Sequence, residues 1–269
     1  MRSYFLIDGM MVYDAMRANK LVHDPEVNWC SSIINDKAYR LSGPMLIDAE
    51  LAKAAGEAVS TTVGKLIIAF PNRLHLSTIQ SHADLPTLTS HLRRFAAFYD
   101  EDAQLLGLRF ADCRRLVDLP NILTPEQWGD MTSVMDKWTV YNRQGQEVIL
   151  TLPEDRADLQ SDEPFRLSRA QIEVLQQVAE PDRLLNRLGY TPQVMASNMT
   201  AYWQLAKHCV SLWRKSGNTD SDVLFFFARQ VFSSQGKALQ ERDWQKFLAQ
   251  ATSQDVVNLQ NLNLNTTTP

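Results

Sequence analysis

Short apolar runs bounded by turn residues fill the chain as far as Leu152; beyond it, apolar residues recur only at helical spacing. "YFLIDG" (4–9) reads as a buried strand that ends in a turn at Asp8–Gly9, and a helix over 10–21 follows, with Met16 and Leu21 on its apolar side. "GPMLIDA" (43–49) reads as a strand leading into a helix over 49–58. "KLIIAF" (65–70) is a β-branched apolar run stopped by Pro71–Asn72, and "LHLSTIQS" (74–81) alternates; both patterns predict strands. Asp84 has the position of an N-cap. Leu88, Leu92 and Phe95 then form one stripe on a helix over 85–97. "AQLLGLRF" (103–110) reads as another strand and 113–118 as a short helix. "TPEQ" (124–127) has the form of a capping box with Pro at the first helical position. "TVYN" and "EVILTL" around Gly145 read as a hairpin.

After Leu152 the texture changes. "PEDRADLQSDEP" is acidic and bounded by proline, which predicts a linker over 153–166. Ser168 and Gln171 form a second capping-box pair, followed by Ile172, Leu175 and Val178. Tyr202, Leu205, Cys209 and Trp213 share a helical face. "DVLFFFARQVF" (222–232) reads as a largely buried helix, and Trp244, Phe247 and Leu248 anchor a last one. The expected fold is an α+β or α/β lobe over 1–152, with a mixed sheet flanked by helices, and an all-helical lobe over 167–252. The low-complexity tail, 253–269, is expected to be frayed.

Charge and composition narrow the function. The 269 residues are 45% hydrophobic and 22% charged, with a formal net charge of −4. That balance argues against nucleic acid as a partner. No apolar stretch is long enough for a membrane span or for the core of a signal peptide, so a cytoplasmic protein with no membrane partner is expected. The cysteines, Cys30, Cys113 and Cys209, are odd in number and widely spaced, as reduced, buried thiols are.

Catalytic signatures are missing: there is no phosphate-binding glycine loop, nucleophile elbow, HExxH or EF-hand loop. His75, His82 and His91 are the candidate metal ligands, but their spacing straddles separate elements and no short-range pair supports them. They read better as hydrogen-bonded or surface histidines, with His91 bonding a backbone carbonyl in the core. The acidic run Glu154, Asp155, Asp158, Asp162 and Glu163 reads as a solvated linker rather than a cation loop. No metal and no cofactor is expected. The densest charge is "GLRFADCRRLVDLPNILTPEQW" (107–128). Arg109, Arg114 and Arg115, with Arg93 and Arg94, have the composition of an anion site at a helix start. The favoured alternative is an internal network in which Asp112 caps the helix at about 113 and pairs with a neighbouring Arg.

These same residues carry a resemblance. "LTSHLRRF" (His91–Arg94), the R-F-x-D-x-R-x-L block Arg109–Leu116, "LTPEQ" (Leu123–Gln127) and "KWTV" around Trp138 follow an opening strand Tyr4–Gly9. Together they resemble the bacterial type VI secretion effector adaptor/chaperone family, often called Tap or Tec. Where many members have Pro after the block's Asp, this chain has Cys113. The likeness runs over roughly the first 150 residues; "FRLSRAQIEVLQQV" is loosely similar to the helix that opens the second lobe. It implies a non-catalytic bacterial adaptor that binds a toxin effector and helps load it onto the VgrG spike protein, with His91, Arg93, Arg94, Arg109, Asp112, Arg114 and Arg115 as structural motif residues. The alternatives are an enzyme of unfamiliar class, or a small-anion-binding regulator using Arg109, Asp112, Arg114 and Arg115.

The second lobe is rich in aromatics: Trp203, Trp213, Phe225, Phe226, Phe227, Phe232, Trp244 and Phe247. A lobe of about 100 residues does not easily bury every ring, and exposed aromatics serve as binding anchors. Trp213, beside "RKSGNTDSD", and Trp244, beside "QERD", are expected to be exposed and partner-binding, with this lobe choosing the cargo.

Overall fold

A computed structural model describes residues 1–18, 27–154, 164–195, 198–256 and 258. The chain divides into two compact units, Met1–Val178 and Ala179–Pro269.

The first unit is α+β. Among the described residues its main sheet has six strands in the order β2-β3-β1-β4-β7-β8. These are β1 (Arg2–Asp8), β2 (Cys30–Ser32), β3 (Pro44–Asp48), β4 (Leu76–Ser81), β7 (Lys137–Tyr141) and β8 (Glu147–Ile149). Every pairing is antiparallel. A second, two-stranded sheet pairs β5 (Ala97–Tyr99) with β6 (Leu105–Gly107).

Apolar pressure comes from both sides of the sheet, which explains why "FLI" in β1 is unbroken. Registered partners share a face. Ile7, Met45, Ile47, Leu76 and Cys30 form one face with Val59, Val63, Leu66 and Phe70. Helices α2 (Ala49–Ala54) and α3 (Glu57–Ile67) follow directly from β3. On the other face lie Tyr4, Leu6, Leu46, Ile79 and Trp138. There Trp138 donates to Ser77 Oγ (3.0 Å) and stacks on Trp128 with centroids 5.8 Å apart.

The run "KLIIAF", expected to be a strand, is the end of α3 and the turn after it. Val59, Thr62, Val63 and Leu66 are buried at one-face helical spacing, and that stripe outweighs the β-branched local composition. The helix expected over 49–58 is broken at Gly56, whose φ of 110° is open only to glycine. The strand expected over 103–110 shrinks to β6, with Ala103 in the left-handed region before it. Two strands were not foreseen, β2 and β5. The first helix, α1 (Tyr13–Ala18), covers part of 10–21; Leu21 lies outside the described residues.

Of the predicted linker, Asp155–Glu163 lies outside the described residues, as does most of the tail. Its far flank is stitched into the first unit. Tyr99 donates to Phe165 O (2.9 Å) and accepts from Leu167 N–H (3.1 Å). Helix α4 (Leu85–Arg93) is capped by Asp84 as expected, and the short α5 (Cys113–Leu116) and α6 (Leu119–Ile122) follow it. The capping box Thr124–Gln127 opens α7 (Pro125–Thr132). Ser168 and Gln171 make the same reciprocal bonds at the start of α8 (Arg169–Arg187). The two boxes then lock together. Gln171 donates to Gln127 Oε1 (2.6 Å) and Ile122 O (2.9 Å), while Gln127 donates to Arg166 O (2.9 Å). The first turns of α8 therefore belong to the first unit, and the unit boundary falls within this helix, three residues before its internal Pro181.

The second unit contains the rest of α8, α9 (Pro192–Met195), α10 (Met199–Lys215), α11 (Ser221–Ser233), a 3₁₀ turn (Lys237–Gln240) and α12 (Trp244–Leu248), with no strand among its described residues. Its core holds Cys209, Val223, Phe227, Val231 and Leu248.

The interlocked boxes give a direct test. Gln127→Ala and Gln171→Ala are each expected to cost about 1 kcal/mol. Urea unfolding of the double variant should show a coupling of at least about 0.5 kcal/mol; simple additivity would mean that the two caps act independently.

Candidate functional site

Gly9 brings the start of the motif block together. It donates to Gly43 O (3.2 Å), and a Cβ there would lie 2.2 Å from Leu41 O, so only glycine lets the chain turn at the end of β1. Asp8, just before it, is buried. Its Oδ1 accepts from the N–H groups of Met10 (3.0 Å) and Met11 (3.3 Å), and its Oδ2 takes Arg109 Nη2 at 2.6 Å. Cys113 N–H bonds Leu74 O (2.9 Å) and its thiol donates to Leu76 O (3.0 Å), which lays the 109–116 block against the entry to β4.

Asp112 is wholly buried at the centre of this block. Its Oδ1 caps α5 by accepting Arg114 N–H (3.0 Å). Its two oxygens also take the Arg114 Nε and Nη2 hydrogens, each at 2.8 Å, in a fork-to-fork pair. Arg109 stands 3.8 Å away on the other side. Burial pushes the Asp112 carboxyl up, but the charge and hydrogen bonds of Arg114, helped by Arg109 and Arg115, outweigh it and hold the group below the usual carboxylate range. Arg115 reaches Val178 O (2.9 Å), a carbonyl in α8 one turn before the buried Pro181.

The other motif residues are also engaged. His91 is buried and bonds Met131 O (3.1 Å). Arg93 donates to Ile33 O (2.9 Å) and Ser32 O (3.3 Å), and Arg94 pairs with Asp130 (2.9 Å). Both cap and pairing therefore occur at Asp112. The carboxylate that sequence reasoning missed is Asp8: "DG" after an apolar run signals a turn, and nothing local points to Arg109, 101 residues away.

The histidines stand apart. His75 is buried and bonds Leu66 O (2.7 Å), its ring against Phe70; desolvation lowers its pKa. His82 is exposed, 3.8 Å from the Asp136 carboxylate. Among the described residues no group of three or more His, Cys, Asp or Glu is placed to hold a metal. Asp155, Asp158, Asp162 and Glu163 lie outside those residues. The three cysteines are free and buried, their thiols pushed up to about 12 by burial.

In the second unit the expected exposure of Trp213 and Trp244 is wrong. Trp213 is 8% exposed and Trp244 2%. The polar turns beside them fold over the rings instead of leaving them to solvent. Trp213 Nε1 donates to Asp220 O (3.2 Å), Trp244 Nε1 donates to Ala238 O (2.6 Å), and the Trp244 ring packs on Phe227 with centroids 4.7 Å apart. On the solvent side of this unit a cavity of about 620 Å³ is lined by residues that include Tyr190, Tyr202, Leu205, His208, Phe232 and Leu239. Tyr190 meets Tyr202 at 4.8 Å and Phe232 at 5.0 Å between centroids.

Residues 3–130 match the family described as Domain of unknown function (DUF4123). That family is associated with type VI secretion effectors. The matched segment holds β1 to β6 and all the motif residues above, and ends inside α7. No curated protein and no solved structure matches the chain. No described helix is long and apolar enough to cross a membrane.

Removing one partner of a buried pair strands the other charge. Asp112→Ala is expected to cost about 3–5 kcal/mol in urea unfolding. Arg109→Ala leaves buried Asp8 without its ion partner but with the Met10 and Met11 N–H donors, and the half-exposed site can take up water, so it should cost less, about 1–2 kcal/mol; equal losses would contradict the central role of Asp112. The pH dependence has two windows. His75 has a lowered folded pKa, so its contribution is complete above the unfolded value of about 6.5 and is lost as pH falls below it. Asp112, also lowered, contributes above about 3.9 and is lost in stronger acid. A His75→Gln variant should flatten the first slope in a pH series of melting curves and leave the second.

Proposed function

We propose that the protein is a non-catalytic cytoplasmic adaptor that binds a type VI secretion effector and helps load it onto the VgrG spike. The observation that carries this reading is the match of residues 3–130 to a family associated with such effectors. The bonding of the motif block supports it. Arg109 and Arg114 are paired with Asp8 and Asp112, Arg94 is paired with Asp130, and Arg93 and Arg115 donate to backbone carbonyls. These bonds inside the chain favour a framework role for the block over an anion site. The matched segment suits contact with the partner common to the family. Recognition of the individual cargo falls to what lies beyond it: the β7–β8 hairpin and the second unit with its aromatic cavity.

The test is co-purification of the full chain with separately expressed and purified spike and toxin effector proteins of the type VI system of the same organism. A one-to-one complex with the toxin, and a second complex with the spike, is the expected result. Binding to neither, or turnover of a small-molecule substrate by the chain alone, would remove the adaptor reading.

A further inference from the structure

Among the described residues β8 is one of the two end strands of the six-stranded sheet, β2 being the other. Its inward bonds are made by alternate residues: Gln146 O accepts from Asn142 N–H (2.9 Å), Val148 faces Val140, and Leu150 N–H donates to Trp138 O (2.9 Å). In an antiparallel ladder the residues between them turn their N–H and C=O outward. Those residues are Glu147 and Ile149, and among the described residues no strand pairs with that edge. β8 carries no proline, no lysine and no bulge; what blunts this edge is its three-residue length and the charge of Glu147. All three residues are exposed, with Ile149 61% and Val148 37% accessible, and their side chains lie on opposite faces of the pleat.

We infer that the outer edge of β8 is a strand-addition site for an extended segment of the cargo effector, which would become a seventh strand. This rests on the adaptor reading and names the surface on which it acts. The occupant's chemistry follows from the edge. It must be extended, to meet the Glu147 and Ile149 main chain. It must be free of proline on its inward side, and it must carry consecutive apolar residues, since apolar side chains are open on both faces. A second copy of this chain is a poor occupant: a three-residue strand paired with itself covers far less than the roughly 1,200 Å² of a stable dimer. A cargo segment continues past β8 onto other surface. The position also fits, because β8 lies beyond the family-matched residues 3–130, where recognition peculiar to one cargo is expected.

The experiment uses the full chain and the purified type VI toxin effector that co-purifies with it. Ile149→Pro deletes an outward N–H that makes no bond among the described residues, so their fold is kept, while Ile149→Val keeps that donor. The expected result is unchanged melting for both, wild-type affinity for Ile149→Val, and at least about tenfold weaker binding for Ile149→Pro, the size of one or two lost hydrogen bonds. Amide exchange on the wild-type chain gives a reading independent of any variant: the Glu147 and Ile149 amides should gain protection in the complex. Toxin binding that survives Ile149→Pro, with no gain in protection, overturns this site and leaves the adaptor reading intact. A wild-type chain that binds no toxin overturns both. A wild-type dimer made monomeric by Ile149→Pro would give the edge to a second copy and overturn the inference.

Discussion

The buried carboxylate of Asp112 sets the terms for the first unit. An ionised carboxylate only accepts, and with no water around it every lone-pair direction needs a donor. The local chain supplies two of them, the α5 N-terminus and the Arg114 fork, both within two residues. Arg109 adds its charge from the side and uses its guanidinium to hold Asp8 at the end of β1. Since β1 lies between β3 and β4, that bond fixes where the central strand stops and the 109–116 block begins. A dense run of charge is thereby consumed in joining a loop to a sheet.

The same economy recurs around the unit. Arg93 reaches backward to the carbonyls of Ser32 and Ile33 at the end of β2, His91 bonds a carbonyl of α7, and Arg115 bonds one in α8. Long polar side chains close backbone groups that no ladder or helix satisfies. The motif side chains are partnered within the unit, although Arg109 stays half exposed, while the β8 edge keeps backbone and the side chains of Val148 and Ile149 open. The second unit has its own cavity, lined in part by Tyr190, Tyr202 and Phe232.

What could be read from sequence was what the chain decides within a few residues. The caps at Asp84, Asp112 and Thr124 and the hairpin at Gly145 came through because donor and acceptor are near neighbours. "KLIIAF" misled because its β-branched composition speaks for a strand while its burial follows the helical stripe that begins at Val59. β2 and β5 carry too few residues for a period; their partners lie elsewhere in the chain. Asp8 and Arg109 could not be joined for the same reason. At Trp213 and Trp244 the polar neighbours suggest exposure, but a buried indole needs one polar acceptor, and the turns provide it.

The central claim is that the Asp112 block is framework in an adaptor and that partners bind elsewhere. Its most direct test is to measure toxin binding and folded fraction together, across a temperature series, for Asp112→Ala, Arg114→Ala and Arg94→Ala. The account predicts that binding follows the folded fraction along one common curve, with wild-type affinity wherever the variant is folded. A variant that stays fully folded and has lost its partner would contradict it and make the block the binding site.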